Sequence, residues 1–384
     1  MSLIINRENF PDNKRILVTS DIHGHADRLR RVLEASDFSD DDILVIVGDM
    51  IDKGPESLKT LQLIMKLSEK GNVRALAGNN DMWRLLHMDY LSADSAQSFY
   101  DYLLHNRKWY GSSIFDDMAQ EIGMYPESPE KLPEIRDAVY ERFSKEIEFI
   151  RRLPTILETQ NFIFVHGGLP SKDLDNLQVR DIYGVLSIGS FYKTELSFDK
   201  FVVVGHFPVD TYNDSICQLN PLIDTKRKII SIDGGCGVRF IGDKELEAKE
   251  SGQLNLLVIP NINCSPETIT SIYTDDFPVV IAKDAQKASD TSSYFHWGHD
   301  QRIEILEEKD GLLRVRFVGY GTEMWLPRED SYNDREGNLC ARDCTDYSLP
   351  IEIGDRLSLL KATSQGYLVK KQGVIGWYFG EIEL

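Results

Sequence analysis

The chain has 384 residues, 42% hydrophobic and 27% charged, a balance that excludes wholesale disorder and collagen-like repeats. Forty-three Lys and Arg against 62 Asp and Glu leave a net charge of −19, distributed along the whole length, which argues against non-specific binding of duplex nucleic acid. At roughly 150 residues per domain, the length predicts two or three domains. Five scattered cysteines, an odd number, predict no disulfide framework and fit a reducing, cytoplasmic setting. No apolar run reaches the roughly 18 residues of a membrane span, and the opening residues predict no signal peptide.

Apolar runs at 15–19, 43–47, 73–77, 162–165 and 201–204 are rich in Val, Ile and Leu, as expected of strands buried on both faces. Between the first three, residues 27–35 and 56–69 carry apolar side chains at spacings of three and four, which predicts amphipathic helices. Strand, helix, strand in this order is βαβ logic, and ligands are expected at the carboxyl ends of the strands. A mostly helical cap is expected over about 82–152, and closing strands at 229–232 and 254–259.

Each strand ends in residues with chemical potential: Ser20-Asp21-Ile22-His23-Gly24, Gly48-Asp49-Met50-Ile51-Asp52-Lys53-Gly54, Gly78-Asn79-Asn80-Asp81, His166-Gly167-Gly168 and Gly205-His206. Singly, each reads as ordinary turn chemistry. Jointly, five strand ends deliver Asp21, His23, Asp49, Asn79, His166 and His206 to one edge. A set of carboxylate, amide and imidazole ligands without thiolate suits Mn²⁺ first, with Fe or Zn²⁺ as alternatives. Six ligands exceed the needs of one catalytic ion, so two divalent ions sharing a carboxylate are expected.

These five motifs, in this order, resemble the calcineurin-like metallophosphoesterases, and within them the phosphoprotein-phosphatase branch. That branch includes serine/threonine phosphatases and symmetrical diadenosine tetraphosphate hydrolases. The resemblance covers about residues 14–262. It implies an α/β fold, an α/β/β/α sandwich with a helical insertion, forming a catalytic domain over 1–265. It further implies that Asp21, His23 and Asp49 hold one ion, that Asp49, Asn79, His166 and His206 hold the other, and that hydroxide between the ions attacks phosphorus. The implied substrate is a phosphoprotein or a nucleotide, so dinucleoside polyphosphate or phosphodiester hydrolysis stands beside protein-phosphatase activity.

Two positions depart from the family pattern. Where the third motif carries a proton-donating His, this chain has Asn80, which leaves Asp52 without the imidazole it usually orients. A missing general acid costs about 10²–10⁴-fold, most for poor leaving groups. The loss also admits a metal-binding pseudo-phosphatase scaffold as a further alternative. Lys53 stands where Arg is common, keeping the charge without the bidentate fork. Asp52 and Asn80 are thus the candidate catalytic positions, and Lys53, Arg84 and Arg180 the candidate substrate contacts.

Beyond Pro266 helical periodicity gives way to short alternating runs broken by Gly and Asp, the signature of β-hairpins. The pattern recurs after about 50 residues and, with Trp325 and Trp377, resembles bacterial Src-homology-3-like barrels. Two small all-β barrels are expected, at 278–330 and 338–384, with a peptide or cell-wall ligand implied by the resemblance.

Overall fold

The computed structural model describes residues 2–238, 252–289, 292–298, 301–334 and 336–383. These residues form two units, the first comprising Met1–Pro208, Pro221–Gly237 and Gln253–Thr274. In chain order it contains β1 (Ile5–Arg7), β2 (Ile16–Thr19), α1 (Ala26–Ala35), β3 (Ile43–Val47), α2 (Ser57–Ser68) and β4 (Val73–Leu76). The cap follows as α3 (Asn79–Asp89), α4 (Ala96–Tyr110), α5 (Ile114–Glu121), α6 (Leu132–Arg142) and α7 (Ser144–Arg151). Then come β5 (Ile156–Glu158), β6 (Phe162–Val165), α8 (Ile182–Ser187), β7 (Phe201–Val204), β8 (Leu222–Asp224), β9 (Ile229–Ser231), β10 (Leu254–Ile259) and β11 (Thr270–Thr274).

Two sheets result, ordered β11-β10-β2-β3-β4 and β1-β5-β6-β7-β9-β8. Parallel pairing of β2, β3 and β4 follows from the helical crossovers, and β6, β7 and β9 repeat it in the other sheet. Side chains alternate across each strand. Ile16, Val18, Ile43 and Val45 meet Phe162, Phe164, Val203 and Ile230 between the sheets. Leu17, Leu44 and Ile46 turn outward onto α1, α2 and the cap. Ile163, Val165, Val202 and Val204 turn to the opposite side, onto Leu169, Val185 and Phe191. Burial on both faces explains the unbroken apolar runs and gives the expected α/β/β/α layering. Parallel strands carry their carboxyl ends to one edge, and the polar motifs sit there.

The second unit includes Val209–Asn220 and Asp275–Leu384. Its strands are β12 (Val279–Ala282), β13 (Phe295–His296), β14 (Ile303–Lys309), β15 (Leu312–Phe317), β16 (Glu323–Pro327), β17 (Ser331–Asn333), β18 (Leu339–Ala341), β19 (Cys344–Thr345), β20 (Arg356–Ala362), β21 (Tyr367–Lys371), β22 (Val374–Tyr378) and β23 (Ile382–Glu383). The largest sheets are β22-β21-β20-β12-β23 and β14-β15-β16, with antiparallel pairing throughout both. Among the described residues, three apolar clusters lie in this unit, one around Val315, Phe317 and Leu326, one around Val280, Leu357, Val369 and Tyr378, and one around Cys217, Phe295, Leu360 and Ile375. The pairing crosses the boundaries expected from sequence. β12, at the start of the 278–330 segment, pairs with β20 and β23 of the later one. Ala341 and Cys344, from the later segment, join the earlier core. No helix of the described residues is long and apolar enough to cross a membrane.

Candidate metal centre

The loops after β2 and β3 are locked together by backbone hydrogen bonds. Asp21 N donates to Gly48 O (3.0 Å), His23 N to Asp49 O (3.0 Å) and Gly24 N to Met50 O (2.9 Å). Asp21, His23, Asp49, Asp52, Lys53 and His206 all have positive φ. That conformation is strained for residues with a side chain, and such strain collects at functional sites. Two glycines permit the close approach. A Cβ on Gly78 would lie 2.2 Å from Asp49 Oδ1, and one on Gly205 would lie 2.2 Å from Asp21 Oδ2.

Two groups of potential ligands share Asp49. Asp21, His23 and Asp49 offer one ligand atom each within 4.8 Å of one another, and so do Asp49, His166 and His206. His23 Nε2 lies 3.6 Å from Asp49 Oδ2, and His166 Nε2 lies 3.4 Å from Asp49 Oδ1. Asn79, in the first turn of α3, places Oδ1 3.0 Å from His166 Nε2. All six residues marked by sequence as metal ligands therefore meet at the carboxyl edge.

The donor set fits divalent ions. His166 Nδ1 lies 2.8 Å from Val47 O and His23 Nδ1 3.1 Å from Asp52 O. Carbonyls only accept, so in the neutral rings Nδ1 carries the proton and Nε2 offers its lone pair to the centre, the orientation that a carbonyl partner gives a metal-binding His. Among the described residues, Nδ1 of His206 is buried without a hydrogen-bond partner, which a coordinated cation would satisfy.

The electrostatics agree. Burial raises the Asp21 carboxyl, with a contribution from Asp49, to about 6. Burial opposes charge on Asp49 too, but His166, His23 and Lys53 outweigh it and hold this carboxyl well below its usual value. On His166 burial is again the largest effect, and Asp49 and Asp21 overcome it, raising the imidazole to about 10. Carboxylates that draw a proton this strongly draw a divalent cation by the same field. Burial, then Lys53, lowers His23 to about 3; burial, then His166, lowers His206 to about 4.

Asn80 is turned inward: its backbone N–H donates to Asp49 Oδ1 (2.7 Å) and its Nδ2 to Asp49 Oδ2 (2.5 Å). Asp81 accepts from Met50 N (3.0 Å) and Gly78 N (2.9 Å), tying the start of α3 to the loop after β3. Asp52 is not left without partners. Arg84 Nε lies 2.8 Å from its Oδ2, Tyr102 donates a short hydrogen bond to Oδ2, and Ile114 N donates to Oδ1 (2.7 Å). Arg84 and Tyr102 thus supply what the absent imidazole does not. Tyr102, from α4, has no motif and was not marked by sequence. Of the other candidates, Lys53 stands close enough to depress both His23 and His206. Arg180 is exposed in the short turn Val179–Asp181 and has no contact with the cluster among the described residues.

The profile of the calcineurin-like phosphoesterases matches residues 14–224, more than half of the chain. The chain belongs to the calcineurin-like phosphoesterase family. It is similar to serine/threonine-protein phosphatase 2 of Escherichia coli (strain K12), 41% identical over 80 residues, 18% of this chain and 37% of that protein. It is also 41% identical over 64 residues to the symmetrical bis(5'-nucleosyl)-tetraphosphatase of Buchnera aphidicola subsp. Acyrthosiphon pisum (strain 5A), covering 16% of this chain and 23% of that protein. The chain therefore spans less than two fifths of either relative's length. Solved structures similar to it include a protein serine/threonine phosphatase from Saccharomyces cerevisiae, with 12% identity, TM-score 0.40 and coverage of 72% of this chain and 85% of that one. Another is a metallophosphoesterase from Sphaerobacter thermophilus, with 15% identity, TM-score 0.34 and coverage of 68% and 88%.

Proposed function

We propose that the protein is a hydrolase of phosphate esters working through two divalent ions, Mn²⁺ by preference. The observation that carries this reading is the sharing of Asp49 by both ligand groups. Asp21, His23 and Asp49 would hold one ion, and Asp49, Asn79, His166 and His206 the other. Bound there, the ions supply Lewis acidity toward phosphoryl oxygens and lower the pKa of water. The chain's own residues do the rest. Val47 O and Asp52 O fix the imidazoles of His166 and His23. Asn80 steadies both oxygens of Asp49, Oδ1 by its backbone N–H and Oδ2 by its side-chain amide. Lys53 and Arg84 add the positive charge that an anionic substrate requires beside so many carboxylates.

The substrate class is a proposal of the same kind. Serine/threonine phosphatase-like activity and dinucleoside polyphosphate or diester hydrolysis both follow from the motif set. Asn80, which donates no proton in catalysis, favours substrates with good leaving groups, whereas a pseudo-phosphatase scaffold would show metal binding without turnover. We read the C-terminal unit as two small Src-homology-3-like modules, a reading supported by the separate apolar clusters around β14-β15-β16 and around β20-β21-β22. The free state of all five cysteines supports a reducing, cytoplasmic setting. The deciding experiment is a panel of phosphopeptide, diadenosine tetraphosphate and bis-p-nitrophenyl phosphate with Mn²⁺-loaded protein. Turnover of at least one class is expected, and inertness toward all three would refute the reading.

A further inference from the structure

Arg84 lies one helical turn after Asn80 on α3, so the two side chains share a face. Its Nη2 donates to Asn80 Oδ1 (3.2 Å), and the same Asn80 amide donates to Asp49 Oδ2 (2.5 Å). One side chain thus separates the guanidinium from the carboxylate shared by both ligand groups. Nε lies 2.8 Å from Asp52 Oδ2. The Arg84 Cζ lies 3.9 Å from the centroid of the Tyr102 ring, and Nη1 lies 3.2 Å from His87 Nδ1. The Arg84 side chain is 14% exposed and Asp52 fully buried, so the cation is fixed yet accessible.

This constellation occupies the position of the missing acid. A guanidinium offers five N–H donors and keeps its proton at any physiological pH. The hydrogen bonds to His87 and Asn80 use one N–H on Nη1 and one on Nη2, which leaves one N–H on each among the described residues for a substrate oxygen. Asp52, Tyr102 and Asn80 hold the group in place, so its charge is preorganised.

We propose that Arg84 replaces the absent proton donor by a fixed cation, making the site selective for leaving groups that depart as anions: phosphoanhydride and aryl oxygens rather than alkyl alkoxides. The proposal rests on the phosphoesterase reading above and narrows its substrate class. In the reaction the oxygen of water forms a new bond to phosphorus, and the bond from phosphorus to the leaving oxygen breaks. That electron pair stays on the leaving oxygen, which departs as an anion hydrogen-bonded to Arg84. Both water protons leave with the phosphoryl product (dihydrogen phosphate when the substrate is a monoester), which then titrates in solvent.

The test uses the full chain loaded with Mn²⁺, with kcat and KM measured for p-nitrophenyl phosphate and for phenyl phosphate, whose leaving group is poorer. Arg84→Gln is expected to lower kcat about 10²–10³-fold on phenyl phosphate, the loss typical of removing one preorganised donor, and about tenfold less on p-nitrophenyl phosphate. Arg84→Lys should recover part of the loss, and KM should change by less than about threefold. The affinity for inorganic phosphate, measured by titration calorimetry, should fall about tenfold in Arg84→Gln, the value of a charge-assisted contact, while the melting temperature of Arg84→Lys stays at the wild-type value. Equal losses on both substrates, or unchanged phosphate affinity, would reduce Arg84 to a structural clamp for Asp52 and overturn the proposal. Wild-type protein inert toward both esters and toward the phosphopeptide, diadenosine tetraphosphate and diester panel would instead overturn the phosphoesterase reading, and this inference with it.

Discussion

Arg84 Nε lies 2.8 Å from Asp52 Oδ2, and through this ion pair the site keeps a charged partner for Asp52 although position 80 is Asn. The pair also governs what a restored imidazole could do. Both Asp52 oxygens are engaged, one by Ile114 N and the other by Tyr102 and Arg84. A His at position 80 would find no free carboxylate to orient it and would face a cation. Asn80→His alone should therefore raise kcat on phenyl phosphate by less than about threefold, far below the full benefit of a general acid. Combined with Arg84→Leu, the same exchange should gain at least about tenfold over Arg84→Leu alone. A large gain from the single exchange, seen in steady-state kinetics, would mean that Asp52 is available after all.

Metal removal should be visible in stability. Asp21, Asp49 and Asp81 are buried close together, and burial raises Asp233 well above its usual value with the charge of Asp21 adding to it. Neutralising this cluster stabilises only the folded chain. Mn²⁺ at a hundredfold excess over its Kd should add about 2.7 kcal/mol, read as a rise in Tm that chelator reverses. Asp49→Asn should lose most of that rise, because Asp49 serves both ligand groups. An undiminished Mn²⁺ shift in this variant would place the ions elsewhere.

Within the C-terminal unit, Lys370 Nζ lies 2.7 Å from Asp275 Oδ2, with both side chains nearly or fully inaccessible. Taking one partner from a buried pair removes the charge that offsets the other's burial. Asp275→Ala should destabilise this unit by about 3–5 kcal/mol, whereas replacing both residues by apolar ones of similar volume should cost far less. Urea unfolding of the two variants tests this, and equal losses would show that the pair is not the source.

Burial, with Asp343 adding to it, raises the Asp210 carboxyl to about 7. The sign follows from linkage: the fold favours the protonated form, so its stabilisation is complete below the ordinary carboxyl value and is lost as pH rises toward 7. Asp210→Asn should therefore raise Tm at pH 8 and leave it nearly unchanged at pH 4. A gain of equal size at both pH values would assign the effect to shape or hydrogen bonding.

The catalytic unit was legible in sequence because its signals are local. Doubly buried parallel strands write unbroken runs of Val, Ile and Leu, and β2, β3, β6 and β7 appear where those runs lie. The ligands follow the strand ends, so parallel pairing alone gathers Asp21, Asp49 and His166. Tyr102 lay beyond reach because α4 meets Asp52 only through tertiary packing, fifty residues along the chain. Arg84 was marked as a phosphate contact, but its pairing with Asp52 depends on the helical start of α3 at Asn79, which the Gly-Asn-Asn-Asp turn motif disguised. In the C-terminal unit the hairpins were readable from their alternation. The pairing of β12 with β20 and β23 was not, since strand order in an antiparallel sheet leaves no local trace.

The central claim is that Asp49 joins two cation sites into one phosphoesterase centre. Hydrolysis of p-nitrophenyl phosphate by Mn²⁺-loaded wild type and Asp49→Asn, measured side by side, tests it most directly. Steady turnover by the wild type and a loss of at least about 10³-fold in the variant are expected, as when a preorganised metal clamp is dismantled. No turnover by the wild type, or equal turnover by both proteins, would contradict it.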